Sequence, residues 1–203
     1  MVSNLLSLTT HHVPMNVAFK EWAVICRALA DGRQALILRK GGIAESGDEF
    51  QIEHNRFWLY PTYTHQQHTG IQPDAVPLLE QVEAERPPIG TVRLTHFAEI
   101  MGIYHAHHLF AVLALAHLHL WSEDTVRMRF AYRTPGLYVL PVRVYRAAEL
   151  FELPESAAFA GCRSWVDLGR DLPTAGAAAV LTDQAMHDLL RTLDKLLKPT
   201  ALA

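Results

Sequence analysis

Lysine is scarce in this chain: there are four, against fourteen arginines, and two of the four lie in the last nine residues. That excludes a lysine-studded surface, and a formal net charge of −3 excludes an overall polyanion-binding one. Cysteine occurs only at Cys26 and Cys162, with no CxxC pair. A zinc ribbon and a disulfide framework are therefore excluded, and two unbridged, buried thiols in a reducing, cytoplasmic setting are expected. No apolar run reaches the ~18–20 residues that span a bilayer, so no membrane partner is expected. Met1 to Val13 lacks the basic start and cleavage site of a secretory signal. The expected organisation is a tail over 1–15 and one globular domain over 16–203.

What the chain does have is apolar material and histidine: 50% hydrophobic residues, 19% charged and twelve histidines. The stretch from Ala35 to His68 concentrates the chemistry. Leu36 and Leu38 alternate with Ala35 and Ile37 as in a strand, and Gly41-Gly42 lets the backbone turn. Phe50 to Tyr60 reads as the returning strand, so Ala35–Lys40 and Phe50–Tyr60 are expected to pair as antiparallel neighbours. Arg39 and Lys40, beside two glycines, can present charge and backbone N–H groups to an anion. His65 and His68 share one side of a helical turn, but no HExxH or HxxxH pattern supplies further ligands, and no metal is expected there.

Elsewhere, Phe19, Trp22, Cys26 and Leu29 recur at helical spacing, with Asn16 as cap and Asp31-Gly32 as stop, predicting a helix over 19–30. A second helix is predicted over 73–85, with Val76, Leu79 and Val82 inward. Thr91 to Tyr104 alternates as a central strand, and His107 to Leu118 is apolar enough for a core helix. Over 126–132, Arg127 and Arg129 alternate outward from Val126, Met128 and Phe130, a strand pattern. Leu137 to Arg146 reads as a strand that Pro141 assigns to an edge or a bulge. The last helix is capped by Thr182 or Asp183 and carries the buried stripe Met186, Leu189, Leu190, Leu193, Leu196 and Leu197.

Five segments in one order, FKEW, LILRKGGI, the FxxEHxxFxLxPTYxHQ pattern of Phe50 to Gln66, RVYR and GCRSWVDL, resemble the domain-of-unknown-function family numbered 1802. The resemblance spans Val17 to Leu197. It implies no reaction and transfers no catalytic residue; some members are loosely associated with nuclease-like regions.

The expected fold is α+β, a curved, mostly antiparallel sheet with helices packed on it; a small barrel is its closed variant by analogy. Two functions fit. One is a nucleic-acid-processing enzyme or accessory domain with a basic cleft. There Arg39, Lys40, Arg129, Arg143 and Arg146 meet phosphates, Trp58, Tyr60 and Tyr63 stack on bases, and Glu53, His54 and His65 supply acid–base or metal chemistry. The other is a non-catalytic module for a small anionic ligand or a partner protein. No motif names a cofactor. In both, Lys40, Glu53, His54 and His65 are expected to line one cleft, approached by Arg143.

Overall fold

The computed structural model describes residues 14–40, 53–156, 159 and 164–197. Its strands are β1 (Met15–Trp22), β2 (Leu36–Arg39), β3 (Arg56–Thr62), β4 (Thr91–Ile100), β5 (Tyr104–Ala106), β6 (Leu137–Pro154), β7 (Trp165–Leu172) and β8 (Ala178–Ala179). The helices are α1 (Ala23–Ala30), α2 (Val76–Ala84), α3 (Leu109–Leu113), α4 (Glu123–Ala131) and α5 (Asp183–Leu196). The strands form one sheet in the order β2-β6-β4-β3-β1-β7, with β5 and β8 also paired to β6. The α+β expectation holds, and the sheet stays open, ending in β2 and β7, so the barrel variant is corrected. All pairings are antiparallel except that of β1 with β3.

Both faces of the centre are covered. Along β3, Phe57 and Leu59 enter one core with Phe19, Leu36 and Leu38, whereas Trp58 and Tyr60 enter a second core with Ala18, Phe97 and Tyr145. That two-sided burial explains an apolar run instead of clean alternation. β4 is central, between β3 and β6, as its long alternation indicates. α5 is capped by Thr182, whose hydroxyl accepts the Ala185 N–H at 3.2 Å; it buries Met186 and Leu193, with Leu197 buried just past its end, while Leu196 of the expected stripe is exposed.

Several expectations are corrected. β2 pairs with β6, Leu36 opposite Pro141, while β3 lies between β1 and β4. Residues 41–52, which the proposed hairpin needs, lie outside the described residues. The first helix starts at Ala23, because residues 15–22 are spent on β1. Residues 126–132 fall mostly in α4, whose start is capped by the Ser122 side chain accepting from Thr125 N–H. The core helix after His107 is the short α3, with Phe110 87% exposed. Pro141 lies on an internal strand, at the point where β6 passes from β5 to β4, and its carbonyl accepts the Met101 N–H at 2.8 Å. Cys26 is buried and unbridged, and Cys162 lies outside the described residues. No helix among the described residues is long and apolar enough to cross a membrane.

Candidate anion-binding site

β1 and β3 run parallel, with Lys20 opposite Tyr60, Glu21 opposite Pro61 and Trp22 opposite Thr62. A cavity of about 610 Å³ opens along the carboxyl ends of this pair. Successive residues of a strand point to opposite faces. Lys20 and Glu21 nevertheless both line the cavity, which therefore wraps the end of the sheet. Arg39 enters from the last position of β2 and Arg129 from α4. Tyr63, His65 and the 86–93 segment form the opposite wall.

The buried end is an unbalanced charge cluster. Glu21 is 4% exposed. Its Oε1 accepts the Trp22 N–H at 2.8 Å, while Oε2 has no hydrogen bond and lies 3.9 Å from Arg39 Nη1. Arg39 also donates to Ser164 Oγ and stands 4.7 Å from the Phe19 ring centroid. Arg129 packs 3.7 Å from the Trp121 ring centroid and reaches the Leu38 carbonyl at 3.4 Å. Burial holds both guanidinium groups below their ordinary pKa, with the Glu21 carboxylate opposing it. At Arg129 the charge of Arg39 adds to the lowering. Two largely buried cations thus face one buried carboxylate, at a distance too long for a hydrogen bond. Over the whole lining, Lys20, Arg39, Arg86 and Arg129 stand against Glu21 and Glu155, while a fifth cation, Arg93, is paired with Glu152, in a chain of net charge −3.

Of the residues singled out from the sequence, Arg39, Arg129, Tyr60, Tyr63 and His65 line this cavity. The others do not join them. Lys40 donates to the carbonyls of Phe130 at 3.0 Å, Gly136 at 2.8 Å and Thr134. An ammonium has three donors, so none is left for a ligand. Glu53 and His54 are exposed, with the His54 ring edge-on to Trp165 at 5.3 Å. Trp58 is fully buried and donates to the Met15 carbonyl at 3.0 Å, which rules out stacking on a base. Arg143 pairs with Asp183 at 2.6 Å and ties α5 to the sheet. Arg146 is an exposed residue of β6. The expected convergence of Lys40, Glu53, His54, His65 and Arg143 is thereby corrected: only His65 is at the cavity.

Sequence reasoning missed Lys20 and Glu21 because it placed their segment in a helix over 19–30. Their signal was the lone acid–base pair inside an otherwise apolar segment, which a strand buried on both faces cannot leave in water.

No curated protein matches the chain. Among solved structures, the crystal structure of ASCH from Zymomonas mobilis matches at 11% identity, covering 92% of this chain and 97% of that one, with a TM-score of 0.42. A mutant form of the same protein matches at 12% identity over 86% and 96%, with a TM-score of 0.43. The model of the domain of unknown function DUF1802 matches residues 18–192. The chain belongs to the DUF1802 family.

Proposed function

We propose that this chain handles nucleic acid and seats one backbone phosphate of a single strand in the cavity, with Arg39 and Arg129 as donors. The observation that carries the reading is the charge imbalance: two largely buried guanidinium groups facing one buried carboxylate. A bound anion supplies the missing negative charge, and the planar guanidinium fork suits phosphate oxygens. Lys20, whose ammonium donates to the Phe159 carbonyl and lies 5.6 Å from the Tyr60 ring, adds positive charge at the same cavity. A net charge of −3 confines phosphate contacts to this cavity and disfavours a long track. Processing of the bound strand would use Glu21 for proton transfer, because it stands beside the cations while Glu53 and His54 do not.

The test is fluorescence anisotropy with a labelled single-stranded oligonucleotide, RNA and DNA in separate arms. One seated phosphate predicts a shallow slope of about −0.7 in log K against log salt, and competition by pyrophosphate. Binding of pyrophosphate without the oligonucleotide would favour the small-anion module instead. Binding of neither would end the reading.

A further inference from the structure

A second cavity, of about 260 Å³, adjoins the first. The two share Pro61, Tyr63, Pro87 and Arg93, so they lie side by side along one wall. Their chemistry differs. The first is cation-rich. The second is lined by small and apolar groups, Ala23, Ala30, Leu59 and Val82 among them, with Thr95 and His96 as its uncharged polar pair. Its charged members are engaged with carboxylates: Arg27 with Glu85 at 2.6 Å, and Arg93 with Glu152 at 2.8 Å. At 260 Å³ it falls below the ~300–1,000 Å³ of a pocket for a whole drug-sized ligand. It suits one ring system.

Neighbouring strand residues point to opposite faces, yet Thr95 and His96 both line this cavity. The register between β4 and β6 breaks at this point: Leu94 pairs with Phe151 but His96 pairs with Arg146, so Thr95 on β4 and residues 147–150 on β6 stand outside the ladder. Away from the ladder, strict alternation of faces no longer holds. Thr95 Oγ1 lies 2.8 Å from His96 Nδ1, fixing the ring and leaving Nε2 for a ligand. Burial and the nearby Arg146 charge pull the imidazole down to about 4, so it stays neutral at ordinary pH. Tyr63 is the aromatic member of the shared wall. Arg86, which lines the first cavity and not the second, sits 4.8 Å from the Tyr63 ring centroid.

We propose that the second cavity is the base subsite of the ligand whose phosphate lies in the first: it takes an uncharged heteroaromatic ring against Tyr63, with its polar edge on Thr95 and His96. The inference rests on the phosphate reading above and adds the class of group attached to that phosphate. Nucleobases are such rings, and a neutral imidazole can complement a base edge in either tautomer. Tyrosine is a face on which bases stack without regard to sequence.

The test compares nucleoside 5′-monophosphates with ribose 5-phosphate by calorimetric titration into the full chain. Both carry the same phosphate; only the former carry a base. Expected is at least tenfold tighter binding of one or more nucleotides than of ribose 5-phosphate. In His96→Ala, and in Ala30→Leu, which fills the cavity from a half-buried helix position, that advantage disappears while ribose 5-phosphate binds as before. Equal binding of sugar phosphate and nucleotides by the unaltered chain overturns the subsite and leaves the phosphate reading standing. So does an advantage that survives both substitutions. No binding of either class overturns both.

Discussion

Arg39 and Lys40 are neighbours at the end of β2, and they meet opposite fates. The Lys40 ammonium is enclosed by the carbonyls of Phe130, Thr134 and Gly136, joining the end of α4 to the start of β6. The Arg39 guanidinium faces a carboxylate it does not hydrogen-bond, and the Arg129 guanidinium feels the charge of the same carboxylate. One cation is spent on the fold, and the other is kept in a cluster that the fold alone does not neutralise. A basic residue next to glycines is therefore not by itself a ligand site. What separates the two is where the donors go, and that is decided by strands and helices remote in sequence.

The largest expected effect on this contrast comes from Arg39→Met. Removing one partner of a buried ion pair strands the other, and a loss of about 3 kcal/mol is expected. For a chain of this size that lowers Tm by roughly 6–12 °C, and phosphate binding falls by more than tenfold. Thermal melts and a pyrophosphate titration on the same sample check both. Next is Lys40→Met, which leaves three carbonyls short of a charged donor at a partly exposed corner. It is expected to cost about 2 kcal/mol, read as a lowered melt, with pyrophosphate affinity unchanged.

Acid should loosen the fold without touching the contrast. Burial holds His96 and His119 at about 4, below the ordinary imidazole value of ~6.5. The unfolded chain takes up these protons below ~6.5, whereas the folded chain resists until about 4. The stability they contribute is thus complete above that upper value and is lost as pH falls toward the lower one. Tm should be flat between about pH 7 and 8 and fall below about 6. His119→Leu should make the fall shallower. The smallest effect is Arg146→Ala on the exposed side of β6: within about 0.5 kcal/mol in stability and no change in pyrophosphate affinity.

The elements legible in the sequence were those with one buried face or a local signal. α2 has its proline start, α5 its Thr182 cap, and β4 an alternation long enough to mark a central strand. β1 was misread because Phe19, Trp22, Cys26 and Leu29 mimic a helical stripe while the first two belong to a strand covered on both sides. α4 was misread from its alternating arginines, although Ser122-Glu123-Asp124 is an N-terminal signal and Val126 and Phe130 are one helical turn apart. In the helix Arg129 turns inward, which is why it reaches the cavity. The hairpin expectation failed because β2 pairs with β6, about a hundred residues away along the chain (Leu36 opposite Pro141), and a local glycine turn carries no information about a distant strand. The site was half legible. Arg39, Arg129, Tyr63 and His65 were marked by residue type, but Lys20 and Glu21 need β1 to exist, and Thr95 and His96 sit at a register break that alternation hides.

The central claim is that the anion site lies on the Arg39 side of β2 and not on the Lys40 side. Calorimetric titration of pyrophosphate into Arg39→Lys and Lys40→Met, in one low-salt buffer, tests it most directly. Arg39→Lys keeps the charge and loses the fork, so at least a tenfold loss of affinity is predicted, with Lys40→Met within twofold of the unaltered chain. Full affinity in Arg39→Lys together with lost binding in Lys40→Met would contradict the account.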